Sequence, residues 1–293
     1  MNARSDRPSG FLVVNAFLNS SKFNEIYSRL GESARSMGIS LDVYSNAELF
    51  LDEAVGLAAE KYDFCLFWDK DIRLASRLEE SGLRLFNPSR GIENCDSKIK
   101  TADMLFPKRI PMPETIPLPF TYDNVGYTDT SFLEQVRERL SLPFVIKEER
   151  GSFGAQVYLA NTMEEAVSIL EGIGGRPALA QRFVSECRGR DIRINMVGRK
   201  CIAAMERYNE KDFRANISGG GKASPCSPTQ AELDLAAGVM ELMELDFAGV
   251  DILRSKDGPL LCEVNSNPHF RSIEECTGAN AADAIMKYIS ENI

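Results

Sequence analysis

Ala248-Gly249-Val250-Asp251-Ile252-Leu253, followed by Leu261-Cys262-Glu263-Val264-Asn265-Ser266-Asn267-Pro268, decides how the chain is read. Both segments read as strands, and Lys256-Asp257-Gly258 between them is a turn signal. A hairpin centred on Asp257 sets position 251 opposite 263, because paired numbers sum to a constant. Glu263 and Asn265 are two apart and share a face of the pleat. Val250, Ile252, Cys262 and Val264 then fill the other face. Opposed strand residues have Cβ atoms ~5 Å apart, and like charges there repel. A divalent cation removes that penalty, and carboxylate with amide oxygens suits magnesium or manganese held together with substrate phosphates. An exposed hairpin face with incidental charges would read the same way, so the hairpin is weighed with the rest of the chain.

The 293 residues are long for one core and imply two or three subdomains. Hydrophobic content of 44% and charged content of 26% fit an ordinary globular protein. No run of apolar residues is long enough for a membrane span. Met1 to Gly10 is polar, without the apolar core of a secretory signal, and reads as a flexible tail. Seven scattered cysteines without a CxxC point to reduced thiols in a cytoplasm and away from zinc. The one histidine, His269, excludes sites built on several. A net charge of −9 argues against a nucleic-acid partner. A homo-oligomer stays open.

The first ninety residues alternate strand and helix. Phe11 to Asn15 is a strand, and Phe23, Ile26, Tyr27, Leu30, Ala34 and Met37 recur at helical spacing behind an Asn19 or Ser20 cap. Strands over Ser40 to Tyr44 and Tyr62 to Phe67, with a helix around Asn46 to Glu60, complete a βαβ unit. No Gly-x-Gly-x-x-Gly follows the first strand. Five prolines make Phe106 to Phe120 a linker-like stretch. A compact α+β lid follows: a helix near Thr130 to Leu140, strands Pro143 to Glu149 and Gln156 to Ala160, a helix capped at Asn161-Thr162, and strand Pro177 to Val184. Strands Asp191 to Val197 and Lys200 to Tyr208, a helix near Ser227 to Leu245, the hairpin and a helix near Asn280 to Ile289 form the rest. The expected domains are 1–93, 94–184 and 185–293.

Lys147 ends an apolar strand just before Gly151-Ser152-Phe153-Gly154. A lysine aimed into a glycine turn is a common phosphate clamp, as backbone N–H groups cradle the oxygens. A surface lysine before a turn has the same sequence. Asn216 to Lys222 invites a Walker reading, but positions 216 and 223 break the spacing. Gln181-Arg182-Phe183-Val184 with Glu186 ends a strand in a polar loop and says little alone. Arg193, Arg207 and Arg214 would bind phosphate or carboxylate if they converge on the metal, and would otherwise line solvated strand edges.

In this order and spacing the segments resemble the ATP-grasp superfamily, and within it the RimK-like ligases, from about Ile92 to the C-terminus. The resemblance implies an N-terminal βαβ domain and two α+β subdomains sandwiching ATP. It implies phosphate contacts from Lys98, Lys147, Gly151 and Gly154. The adenine hinge falls at Arg182, Phe183 and Val184, and further nucleotide contacts at Glu186, Asp191 and Ala215. Arg207, Arg214 and Asn216 fall on the reacting phosphate, and Asp251, Glu263 and Asn265 on magnesium or manganese. The activity implied is an ATP-dependent carboxylate–amine ligase that forms an acyl phosphate, acting on an amino acid or peptide. A small-molecule kinase or a non-catalytic nucleotide-binding protein are the alternatives. The chain departs from the family at His269-Phe270-Arg271, beside the reacting carboxylate. Arg271 is therefore expected to read a substrate carboxylate.

Overall fold

Strand and helix alternate from Ser9 onward in the computed structural model, which describes residues 7–18, 20–152 and 154–293. The N-terminal unit runs β1 (Ser9–Val14), α1 (Ser21–Ser36), β2 (Ser40–Ser45), α2 (Asp52–Lys61), β3 (Phe64–Phe67), α3 (Ile72–Glu80) and β4 (Arg84–Phe86). Its sheet is parallel in the order β2-β1-β3-β4, a larger unit than the predicted βαβ. Ser9 and Gly10 already pair in β1, so the tail expected over the first ten residues is shorter; residues 1–6 lie outside the described set. The Asn19 cap also lies outside it, and Ser20 at the cap position makes no side-chain capping bond. The helical spacing was sound: Ile26, Leu30 and Ala34 are buried on one side of α1.

Two short helices follow, α4 (Ser89–Asp96) and α5 (Lys98–Leu105), in a stretch to which the sequence pattern assigns no element. The lid then comprises β5 (Thr115–Pro117), α6 (Leu133–Leu140), β6 (Phe144–Glu148), β7 (Val157–Ala160), α7 (Met163–Ile173) and β8 (Ala178–Arg182). Its antiparallel sheet has the order β5-β8-β6-β7. The proline-rich stretch therefore contributes an edge strand, the place where a missing N–H is tolerated. Lid residues from Leu118 to Ala180 bury one another under α6 and α7. Cys95, Met104, Leu105, Ile110 and Met112 pack elsewhere, on the C-terminal unit.

That last unit holds β9 (Arg190–Val197), β10 (Lys200–Tyr208), β11 (Lys222–Pro225), α8 (Gln230–Leu242), β12 (Phe247–Ser255), β13 (Gly258–Asn265), α9 (Arg271–Thr277) and α10 (Ala281–Asn292). Its sheet has the order β11-β10-β9-β12-β13. The capping box Thr229–Glu232 starts α8, which covers Ile192, Ile194, Val250, Ile252 and Leu261. On the opposite face, α9 and α10 join a core shared with β1, α1, Trp68 and Phe86. Trp68 stacks on Phe247 at 5.3 Å. Asn87, fully buried, donates to the carbonyls of Phe247 (2.9 Å) and Ser266 (2.7 Å) and accepts from the Asp246 and Phe247 amides. The first and last units are thereby one packed body.

Candidate active site

A cleft lies between the lid sheet and the uncovered half of the C-terminal sheet, where residues of both units converge. The lid contributes Val145, Lys147 and Gln181 from the face that α6 and α7 leave open. The opposite wall is Asp191, Arg207, Asp251, Leu253 and Glu263.

Both candidate phosphate lysines reach this space. Lys98 is the first residue of α5, with the Ser97 hydroxyl accepting from the Lys100 amide behind it. Its ammonium donates to the Gly151 carbonyl at 3.3 Å and lies 3.6 Å from Glu263. Lys147 is 8% exposed, and its ammonium has no ion-pair partner among the described residues. Gly154 has φ of +74°, and a Cβ there would meet Asn216 Oδ1 at 2.7 Å. The loop thus packs directly on the second predicted segment: Arg214 donates to the Gly154 carbonyl at 2.6 Å while pairing with Asp212. Gly151, Ala215 and Asn216 line the same cleft; Phe153 lies outside the described residues.

At the hinge, Phe183 and Val184 face the cleft and Phe183 meets Phe213 edge-on at 6.2 Å. The Arg182 guanidinium points away, donating to the Leu140 and Arg139 carbonyls and pairing with Glu114 at 2.6 Å. Only the rest of that residue is free for a ligand. Glu186 does not line the cleft; it is exposed and accepts from the Lys256 amide at 3.4 Å.

The hairpin pairs Asp251 with Glu263 as the sequence implies, but by a different route. The turn sets Ser255 opposite Gly258, and a bulge at Cys262 restores the 251–263 pairing. Leu261 therefore enters the core and Cys262 faces the cleft, a correction to the simple alternation. Burial pushes the Cys187 and Cys262 thiols up to about 11, so both are neutral lining rather than nucleophiles.

Four charges interlock beside the bulge. Arg207, 5% exposed, donates twice to Asp191 at 2.7 Å and reaches Asp251 at 2.9 Å. Arg193 grips Asp251 through Nε and, at 2.8 Å, Nη2. It crosses above Gly249, where a Cβ would sit 2.8 Å from its Nη1. Burial alone would push Asp251 up, but the two guanidiniums override it and hold the carboxyl below the ordinary aspartate range. Asp191 goes the other way, raised by burial more than Arg207 lowers it.

Among the described residues, no three His, Cys, Asp or Glu side chains form a metal cluster. The predicted set is two carboxylates and an amide, and its donors suit a hard cation. Among the described residues, Glu263 has only the 3.6 Å contact to Lys98. Asp251 accepts three bonds, one short of a carboxylate's capacity. Asn265, on the same face, has a buried Nδ2 without a partner, so nothing fixes its amide in one sense.

Arg271 is not free. Its guanidinium is taken by Glu25 and by Glu275 at 2.6 Å, and it does not line the cleft, which removes the basis for a substrate contact there. Ser152, Gln156, Cys187, Arg190 and Phe213 line the cleft without having been singled out as site residues; only their nearness to the glycine and arginine segments marks them.

Residues 95–289 match the RimK-like ATP-grasp domain. The chain belongs to that family. It is 35% identical over 219 residues to the probable alpha-L-glutamate ligase of Vibrio atlanticus, covering 74% of this chain and 70% of that one. To the probable alpha-L-glutamate ligase of Maridesulfovibrio salexigens it is 37% identical over 220 residues, with the same coverages. The RimK domain ATP-grasp protein of Sphaerobacter thermophilus has the same fold, with TM-score 0.71 at 19% identity over 96% of this chain and 98% of that one. D-alanine–D-alanine ligase of Bacillus anthracis complexed with ATP gives 0.72 at 15% identity, over 98% and 97%. This RimK-like chain is an ATP-dependent carboxylate–amine ligase. No helix among the described residues is long and apolar enough to cross a membrane.

Proposed function

We propose that this ligase activates an amino-acid or peptide carboxylate as an acyl phosphate and joins it to the amine of a second substrate. The convergence of Lys98, Lys147, Arg207, Arg214, Asp251 and Glu263 on one cleft carries the reading. A carboxylate oxygen of the substrate attacks the γ-phosphorus of ATP, and the bond to the β-phosphate oxygen breaks to release ADP. The amine lone pair then attacks the acyl carbon, the acyl C–O bond breaks to release phosphate, and the amine gives up a proton. The chain needs no side-chain nucleophile for this, only positioning and charge.

Lys98 and Lys147 neutralise the α- and β-phosphates, and the backbone of Arg182, Phe183 and Val184 reads the adenine. Arg214 and Asn216 face the transferring group, and Arg207 sets the field around it while orienting Asp191 and Asp251. Asp251, Glu263 and Asn265 would hold magnesium or manganese, whose charge offsets that of the phosphates. The glycine loop and lid exclude water from the acyl phosphate. The relatives' names make glutamate the first substrate to try.

The test is a screen of ADP and phosphate release across pairs of amino acids and short peptides, with products weighed by mass spectrometry. A product lighter than its two components by one water, formed with one ADP and one phosphate, is expected. Glu263→Gln should reduce turnover at least ~100-fold while the fold stays intact, as for loss of a catalytic charge. A phosphorylated product without phosphate release would establish a kinase, and ATP binding without turnover would leave only a binding protein.

A further inference from the structure

The parallel sheet of the N-terminal unit has its switch point between β1 and β3, because the chain leaves β1 toward β2 on one side and returns to β3 on the other. Ligands of such sheets sit in the crevice beyond the strand C-termini at that point. Around that point stand Asn15 after β1, Asp69 after β3, Tyr27 of α1, and Asn267 and His269 from the loop after β13.

Asp69 is 5% exposed, and no cation forms an ion pair with it among the described residues. The adjacent Lys70 is engaged by Asp96 at 2.6 Å. Asp69 Oδ1 accepts from the Lys70 amide at 2.7 Å and from Asn15 at 3.1 Å; Oδ2 has only a 3.3 Å contact to the same Asn15 amide. Asn267 donates Nδ2 to the Asp69 carbonyl at 2.9 Å, which leaves its Oδ1 buried without a partner. Among the described residues, the buried Tyr27 hydroxyl and His269 Nε2 also have no hydrogen-bond partner. His269 packs edge-on against Phe23 at 5.9 Å, and Phe23 lies 6.5 Å from Tyr27, which ties the group together. Burial, with the Asp69 charge added, raises Tyr27 to about 12, so its hydroxyl stays neutral.

A buried carboxylate and an amide oxygen facing no donor are costly, and each wants an N–H. What is missing is one positive charge with several donors. A primary ammonium supplies that in a compact form. One carboxylate is too few for a divalent cation. We propose that the crevice between β1 and β3 binds a primary ammonium group of an amino-acid substrate, with Asp69 as counter-ion and Tyr27 and Asn267 as hydrogen-bond partners. The inference rests on the ligase reading and narrows it: the substrate carries an ammonium at the end remote from ATP. Asn267 follows Asn265 by two residues, a span of at most ~7 Å. The ammonium site and the expected metal ligands are thus neighbours along the chain.

The twenty amino acids, and their forms acetylated at every amino group, are added to the full chain with ADP and magnesium, and the melting temperature is read. At least one amino acid is expected to raise it, and its acetylated form to have no effect. The same substrate with Asp69→Asn should show KM raised about tenfold or more, as for a lost charge-assisted bond, with the KM for ATP unchanged. Tyr27→Phe should raise the same KM to a smaller extent. Trapping the acyl phosphate with hydroxylamine then shows whether the ammonium belongs to the activated acid or to the acceptor; either assignment supports the site. No shift with any amino acid, an equal shift with the acetylated form, or an unchanged KM in a folded Asp69→Asn protein overturns it. If wild type releases phosphate with a substrate pair, those failures remove the ammonium site and leave the ligase reading standing.

Discussion

Removing the Arg207 charge tests the electrostatic core of the site. In Arg207→Met, Asp251 keeps Arg193, whereas Asp191 loses both of its 2.7 Å bonds. An uncompensated buried carboxylate left by breaking such a pair costs about 3–5 kcal/mol. At ~2 °C per kcal/mol for a chain of this size, the melting temperature should fall by about 6–10 °C. The pH dependence identifies the cause. Burial already raises the Asp191 carboxyl, and losing Arg207 raises it further. The folded state then holds a proton that the unfolded aspartate, titrating near ~3.9, has released. The group's contribution is fully present below that value and is lost as pH rises through the folded pKa. The variant's deficit against wild type should therefore be small near pH 4 and grow toward neutrality. Melting followed by far-UV circular dichroism across that range measures it, and adding Asp191→Asn should recover much of the loss. A fall under about 1 °C, or a deficit that shrinks with rising pH, would refute the role given to this network.

Gly154→Ala places a Cβ against Asn216 at a φ of +74°, so ATP affinity, read by nucleotide titration, should drop about tenfold from ~1–2 kcal/mol of strain. Arg182→Ala should leave the KM for ATP within about twofold while lowering stability, since its side chain is tied to Leu140, Arg139 and Glu114. His269 is held below the ordinary histidine range by burial, so the folded state resists its protonation. Its contribution to stability is whole above ~6.5 and is lost as pH falls below that value; denaturant titrations of His269→Gln should show a flatter pH profile in that region.

Much of the site was legible because strand period and turn chemistry are local. The lysine before the glycine loop follows from spacing alone, whereas the Asp251–Glu263 pairing is reached only with the help of a bulge. The Cys262 bulge does not follow from spacing: alternation has no marker for an extra residue, and only the packing of Leu261 under α8 reveals it. The helices at Ser89–Asp96 and Lys98–Leu105 were missed because each is barely two turns long and is held by packing more than by propensity. Arg271 misled because nothing in the sequence says that Glu25, from a helix near the other end of the chain, reaches it. The pairing of Arg193 and Arg207 with Asp251 was invisible for the same reason: the register between β9, β10 and β12 is a long-range choice.

The Asn87 contacts and the core common to both ends of the chain make those ends one jaw, and the lid is the other. The N-terminal sheet, α10 and the sheet bearing Glu263 are bolted together by the Asn87 bonds and the Trp68 stack. The lid residues from Leu118 to Ala180 carry a separate core and meet that body through two strands of backbone and a few polar contacts, Lys98 to Gly151 and Arg214 to Gly154 among them. Raising the lid would break those few contacts and leave the partners of Asp69, namely Asn15, Lys70 and Asn267, in place, since none of them belongs to the lid. A substrate held at the proposed site would then keep its position while the lid opened and closed over the phosphates.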